Sequence, residues 1–142
     1  MKEGKEREKI LKEIQKQVTS EEILDEILKV LSEKQAKDSS CYKIDKISTL
    51  ADYMLIASAS SSTHMKVLAD EVHRAGRQAG YQQLNSGEPV DEDWSVLDFG
   101  TVIVHLFSRD SREHYQLDEI WSKGKTIDLT QWFEEEDRTD PS

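Results

Sequence analysis

The chain has 142 residues, a formal net charge of −10 at pH 7 and 36% hydrophobic residues. Its length suits one domain with a single core. Its acidity excludes strong non-specific binding to phosphate backbones, which requires Lys and Arg contacts, so we expect no direct, sequence-specific binding of nucleic acid. An acidic chain is better suited to a basic protein partner, because opposite potentials speed the encounter.

The cysteine content and the apolar runs exclude further classes. The only cysteine, Cys41, can form neither an intrachain disulfide nor a zinc site built from cysteine pairs. No apolar run reaches membrane-spanning length, and the Glu-rich beginning lacks the apolar core of a secretory signal. The sequence therefore predicts a cytoplasmic protein with no membrane partner.

The first third of the chain predicts a charged extension and one amphipathic helix. Residues 1–18 mix Lys, Arg and Glu, and can form a solvated helix that buries little. The run Thr19-Ser20-Glu21-Glu22 has the form of a capping box, which marks a helix beginning. Apolar residues then recur at helical spacing, so this helix should run to about Gln35 and end at the polar run 37–40.

Two strands and a second helix should follow. Residues 41–44 and 53–57 predict strands, the second apolar on both faces and therefore central. A turn of small residues at 58–62 supplies helix caps, and the helix over 63–79 should end at Gly80. Its predicted core residues are Val67 or Leu68, Val72, Ala75 and Ala79. A glycine inside this helix, Gly76, would permit close backbone packing.

The densest run of β-formers, residues 94–107, is interrupted only by Asp98-Phe99-Gly100 and predicts a β-hairpin. Its second arm, 101–107, is apolar on both faces, which is typical of a buried central strand. Trp94 and Asp98 should lie two pleats apart on one face of the first arm. A loop of two or four residues places Trp94 beside His105, whereas a three-residue loop breaks that pairing.

The remaining segments complete the predicted fold. Residues 81–93 form a polar loop that can open with a short strand, residues 112–122 a helix, and 127–129 an edge strand. Residues 131–142 form an acidic tail that we expect to be mobile. The element order predicts an α/β or α+β fold: a single domain with a mixed β-sheet flanked by helices.

Candidate catalytic chemistry is weak. A nucleotidyltransferase needs a Gly-Ser phosphate-binding turn and carboxylates that hold a divalent metal. The turn Ala57-Ser58-Ala59-Ser60 has no glycine, and the carboxylates at 91–93 are better explained as a solvated charge run. We therefore predict no enzyme, no catalytic residue, no cofactor and no metal.

Histidine and serine side chains do not change that prediction. Nothing in the spacing of Ser58, His64 and Asp98 shows that they converge as a triad, and no elbow glycines flank the serines. No pair of histidines has the helical i, i+4 spacing of a metal site. His105, in an apolar strand, is best explained as a core or interface histidine that is hydrogen-bonded in place.

Trp94 and Asp98 each have two explanations. Asp98 can cap a turn, or it can face a Lys or Arg of a partner. Trp94 can be a plain core residue, or it can be an interface anchor, because Trp is enriched among binding hot spots. The residues alone leave both alternatives open.

Several linked motifs resemble the ribosomal silencing factor family, also called RsfS or Iojap. The pattern Trp94-x-x-Leu97-Asp98-Phe99-Gly100, followed by the strand 102–107, is similar to the family signature. The similarity continues through Arg112-Glu113-x-Tyr115-x-Leu117-Asp118-x-Ile120-Trp121, and upstream through 50–58 and 69–72. It covers roughly residues 19–130, which we take as the domain.

The resemblance implies a fold like that of nucleotidyltransferases and a steric function. Members of the family bind a protein of the large ribosomal subunit (uL14-type) and block joining with the small subunit, which represses translation under starvation. The resemblance places partner contacts at the following residues: Trp94, Leu97, Asp98, Gly100, Asp52, Tyr53, His105 and Tyr115. The alternatives are a metal-dependent nucleotidyltransferase-like enzyme and a homodimeric scaffold protein.

The chain departs from the family pattern at three places. Thr101 stands where the family commonly has Asp, and Ala59 where it has Gly. The segment 84–87 reads Leu-Asn-Ser-Gly where Gly-Val-Glu-Gly is usual. These departures affect the expected contacts of the loops but leave the predicted hairpin intact.

Overall fold

A computed structural model describes residues 2–86 and 89–139. Its four helices, five strands and one short 3-10 helix are as follows: α1 Lys2–Glu33, β1 Lys37–Lys43, β2 Tyr53–Ala59, α2 Ser62–Gln78, β3 Trp94–Asp98, β4 Val102–Ser108, α3 Arg109–Tyr115, α4 Leu117–Trp121, β5 Lys125–Thr126, and the 3-10 helix Glu135–Asp137. Within the described residues no helix is both long and apolar enough to span a bilayer.

The strands form one mixed sheet in the order β3-β4-β2-β1-β5. The central pair, β2 and β4, is parallel, and each outer pairing is antiparallel. Every residue of β2 is buried, and so is β4 up to its last residue. The predictions of a mixed sheet and of two central strands are therefore confirmed.

Helices cover the two sheet faces unequally. Helices α1 and α2 pack on one face, where their apolar residues join those of β2, β3 and β4 in the larger core cluster. The opposite face holds a smaller cluster, covered at one end by the short helices α3 and α4. We call this second side of the sheet the open face.

The first helix differs from the predicted one at its beginning. Helix α1 is continuous from Lys2, so the run at 19–22 does not act as a capping box. The Ser20 hydroxyl instead donates to Asp52 Oδ2 (3.2 Å) and contacts the hydroxyl of Thr101. The apolar face after Ser20 packs on the sheet as predicted, with Ile23, Ile27 and Leu31 fully buried.

The polar run 37–40 does not lie where the sequence predicts, between α1 and the first strand. It begins β1. The chain reverses at Gln35, which has a positive φ of 61°. Ser39 and Ser40 are then buried, and Ser40 donates to Asp118 Oδ1 (2.7 Å). Tertiary pairing with β2 outweighs the weak strand propensity of Lys, Asp and Ser.

The predicted helix 112–122 is split in two. Gln116 adopts the left-handed conformation (φ 51°), which ends α3 and precedes α4. Arg112 holds the two pieces together through two hydrogen bonds to Asp118, Nε–Oδ2 (3.0 Å) and Nη2–Oδ1 (3.1 Å). The edge strand is β5 at 125–126, not 127–129, and no strand forms in the described parts of 81–93.

Residues 131–139 lie against α1 and β1. Trp132 Nε1 donates to Asp25 Oδ1 (2.9 Å), and Lys37 Nζ pairs with Asp137 Oδ1 (2.8 Å). The amide of Thr139 donates to the Ser39 carbonyl (3.0 Å). Residues 140–142 lie outside the described part, and the mobility of the tail and the boundaries at 18 and 130 stay predictions.

Helix α2 confirms most of its predicted features. Ser61 caps it by accepting from the His64 amide (3.0 Å), and Gly80 follows its end with φ 88°. Leu68 and Val72 are fully buried, whereas Val67 is exposed. Gly76 packs against the buried ring of Phe99, where a Cβ on the glycine would lie 2.3 Å from Phe99 Cε1.

Replacing Gly76 by Ala should therefore lower the free energy of unfolding by roughly 1–3 kcal/mol through overpacking, although Ala is the better helix former. Urea unfolding followed by circular dichroism measures the change. Gly4→Ala is the matched control, because a Cβ on that helical glycine meets nothing within 4 Å. A stabilised Gly76→Ala variant would show that Phe99 yields without strain.

Candidate partner-binding surface

The register of the hairpin decides which side chains reach the open face. Trp94 lies opposite Phe107, Val96 opposite His105, and Asp98 opposite Ile103. The chain thus reverses with an even number of loop residues, the alternative that places Trp94 and His105 on one face. Leu97 points the other way, into the core under α1 and α2.

Four rings meet on the open face. The Trp94 ring centroid lies 5.2 Å from that of Phe107, 4.6 Å from Tyr115 and 5.8 Å from His105. We call these four residues the aromatic cluster. Phe107 is fully buried, whereas Trp94 and Tyr115 are half-buried. Tyr115 reaches the cluster from the last turn of α3, next to the break at Gln116.

A hydrogen bond orients the Trp94 indole. Its Nε1–H donates to Nδ1 of His105 over 3.0 Å, which requires that Nδ1 carry no proton. His105 is only 8% exposed, and this burial lowers the pKa of its imidazole from 6.5 to about 4. The histidine is hence neutral at physiological pH, and Trp94 is held in one orientation.

Carboxylates flank the aromatic cluster at both ends of β3. The hydroxyl of Tyr115 donates to Asp91 Oδ2 over 2.9 Å. Hydrogen bonds from the Asp93 amide and from Tyr115 lower the pKa of Asp91, and the bond to Asp91 raises the pKa of Tyr115. Asp98 lies at the other end of β3, about 13 Å from Trp94 along the strand at 3.3 Å per residue.

Asp98 caps the turn, as one of its two explanations predicts, whereas its contact with a partner stays a prediction. Its Oδ1 accepts from the Gly100 amide (2.8 Å), so it caps the turn, where Gly100 takes a φ of 84° that favours glycine. Its side chain is nevertheless half-buried on the open face, where a partner can reach it. Turn capping and partner contact are therefore compatible.

Thr101 fastens the hairpin turn to β2, a role that sequence reasoning does not predict. Its carbonyl accepts from the amides of Asp52 (2.9 Å) and Tyr53 (3.1 Å), and its hydroxyl donates to Asp52 Oδ2 (2.7 Å). An Asp at 101 would place a second carboxylate beside Asp52. Only the tertiary pairing of β2 with β4 brings these residues together.

The other predicted contact residues differ in accessibility. Leu97 and Tyr53 are 3% and 7% exposed and belong to the larger core, so in this conformation they support the surface from beneath and do not face a partner. Gly100 and Asp52 are half-buried at the turn. The partner-binding roles of all eight residues stay predictions.

The residues of the rejected triad lie far apart. Ser58 pairs with Phe107 at one end of the parallel strands, whereas Asp98 pairs with Ile103 at the other. His64 contacts Ser60 and the Lys34 carbonyl. Among the side chains that the structure describes, no three His, Cys, Asp or Glu residues are grouped closely enough to hold a metal ion.

Comparison with solved structures places the fold. A crystal structure of a Chromobacterium violaceum protein superposes with a TM-score of 0.68 over 78% of this chain and 91% of that one. At 24% identity this likeness establishes the α+β fold alone.

Comparison of sequences establishes the family. The family model "Ribosomal silencing factor during starvation" matches residues 17–142. The ribosomal silencing factor RsfS of Bacillus subtilis is 33% identical over 98 residues, covering 68% of this chain and 82% of its own length. That of Halalkalibacterium halodurans is 25% identical over 112 residues, covering 79% and 96%. The chain belongs to the RsfS/Iojap family.

Burial of His105 predicts a loss of stability in acid. The unfolded chain binds a proton at His105 near pH 6.5 but the folded chain only near pH 4, so the unfolded state binds more protons between these values. Stability should fall by about 2–3 kcal/mol as the pH drops from 7 to 4.5. Urea unfolding at both pH values measures the loss.

His105→Gln should remove most of that pH dependence, because an uncharged amide oxygen can still accept from the indole. Val67→Ala, at an exposed residue of α2 that does not titrate, is the control and should leave the pH dependence unchanged. An equal acid sensitivity in wild type and His105→Gln would assign it to other groups.

Proposed function

We propose that this protein represses translation under starvation by binding the large ribosomal subunit and obstructing its joining with the small subunit. The contact would be with a uL14-type ribosomal protein. The observation that carries the proposal is the aromatic cluster on the open face, in which Trp94 and Tyr115 are half-buried, with Asp98 and the exposed carboxylates 91–93 at the two ends of β3. Membership of the ribosomal silencing factor family supports it.

The surface has the chemistry that a basic protein partner requires. Trp94 offers an apolar ring with its N–H already satisfied, so it can be covered without leaving a buried donor unpaired. Carboxylates at either end of β3 suit Lys or Arg side chains, and the net charge of −10 favours a basic partner over a phosphate backbone.

The mechanism needs a surface and no catalysis. A standard interface removes about 800 Å² per partner from water, with an aromatic anchor inside a polar rim. A domain held in that way on the joining face of the large subunit would exclude the small subunit by occupying space. Regulation of translation would then follow from occupancy alone.

Trp94→Ala combined with Asp98→Ala should weaken binding to purified large subunits by roughly thirtyfold or more, because truncation of a hot-spot residue costs about 2 kcal/mol or more. Co-sedimentation measures the binding, and light scattering of mixed subunits measures their joining. The wild-type protein should suppress joining, and the double variant should not.

The matched control is Val67→Ala with Asp70→Ala, which removes one exposed apolar and one exposed acidic side chain from α2, behind the sheet. It should bind as the wild type does. Undiminished suppression of joining by the Trp94/Asp98 variant would show that the surface is wrong. Two rival functions predict different results. An enzyme would bind a nucleoside triphosphate with Mg²⁺ in calorimetry. A scaffold would form a dimer in solution and would not co-sediment with ribosomal subunits.

A further inference from the structure

The outer edge of β3 is closed by two backbone amides of the preceding loop and by one side chain, not by another strand. In the hairpin the backbone N–H and C=O groups of Trp94, Val96 and Asp98 point away from β4. Unpaired groups at the edge of a sheet can pair with another chain. The Val90 amide donates to the Trp94 carbonyl (2.9 Å), and the Leu84 amide to the Asp98 carbonyl (2.7 Å). The middle of the edge is covered by Asn85.

The Asn85 carboxamide makes the two hydrogen bonds that a neighbouring strand would make. Its Nδ2 donates to the Val96 carbonyl (2.6 Å), and its Oδ1 accepts from the Asp98 amide (3.1 Å). A primary amide carries a donor and an acceptor side by side, as the backbone does, so it can bridge two successive outward residues. The pairing also fixes which end of the amide is oxygen.

Helix α2 holds the Asn85 amide in this orientation. Gln83 Nε2 donates to Asn85 Oδ1 (3.0 Å), and Gln83 Oε1 lies 2.8 Å from Nδ1 of His73 on α2. The chain of hydrogen bonds therefore runs from a long helix through two amides to the backbone of β3. It ends at the residue whose carboxylate caps the turn and faces the open side.

We propose that Asn85 is a positioning residue: its amide replaces a missing strand and fixes the β3 arm, and with it the Asp98 carboxylate, for partner binding. The effect of Asn85 on partner binding rests on the proposed function, whereas the closure of the β3 edge by its amide does not. Asn85 lies in the segment 84–87, of which Gly87 is outside the described residues.

Amide hydrogen exchange on the free protein tests the mechanism. In Asn85→Leu, which keeps similar volume but removes both bonds, exchange at the Asp98 amide should accelerate by roughly tenfold, while the buried Ile56 amide of β2 keeps its rate. Gln82→Leu, at an exposed neighbour, should change neither rate. An unchanged rate at Asp98, or equal acceleration at Ile56, would overturn the assignment; Asn85→Ala gives the same comparison with less bulk.

A double-mutant cycle tests the consequence for binding. Asn85→Leu should weaken large-subunit binding by roughly threefold to tenfold in the wild-type background, and by less in the Asp98→Ala background, because it acts through Asp98. Equal losses in both backgrounds would reduce Asn85 to a general stabiliser and overturn the positioning role. If the wild-type protein bound no large subunits, the proposed function would fail, while exchange at Asp98 would still decide whether Asn85 holds the arm.

Discussion

The parallel pairing of β2 with β4 is the constraint on which the surface depends. Both strands are buried on both faces, so a slip by one residue would move every side chain to the wrong side of the sheet. The register of β4 in turn sets that of β3 through the hairpin. The placement of Trp94 and Asp98 on the open face is therefore a consequence of core packing in the next two strands of the sheet.

The two faces of the sheet differ because different helices cover them. Helices α1 and α2 fill one face with apolar side chains, whereas the short α3 and α4 cover only an end of the other. Arg112 ties this end together, since it bonds Asp118 and also donates to Ser40 and Ser58. Removing one partner of such a pair is costly, because the other charge is left unpaired. The pair holds α3 in place and therefore helps to position Tyr115, which lies on that helix, within the aromatic cluster.

Periodic patterns predicted the regular part of the fold. The doubly apolar runs identified β2 and β4, and the Asp98-Phe99-Gly100 interruption identified the hairpin that presents the surface. The failures have a common cause: a distant partner overrode a local preference. Ser20 bonds Asp52 instead of capping a helix, and the polar beginning of β1 is paired by β2. Such contacts become visible only once strand order is known.

The same reasoning applies within the candidate site. The sequence singled out Trp94 and Asp98, whose aromatic and acidic side chains are unusual beside a turn, and both lie on the open face. It did not find Asn85 or Thr101, because an amide in a polar loop and a hydroxyl after a glycine are common. The roles of these two residues depend on hydrogen bonds to residues that are distant in the sequence. Local sequence patterns do not show which residues those partners are.

Rigidity of the surface bears on the proposed function, in which a small domain would obstruct a large assembly. Association loses affinity when side chains and loops must be ordered on binding, and preorganisation removes part of that loss. Here the indole of Trp94 is bonded to His105, the carboxylate of Asp98 to the Gly100 amide, and the edge of β3 to Asn85. Each bond lies within the monomer and leaves the outer surface of its residue available. The interaction energy of a few anchors can then appear as affinity, which a steric inhibitor needs because it acts only while it stays bound.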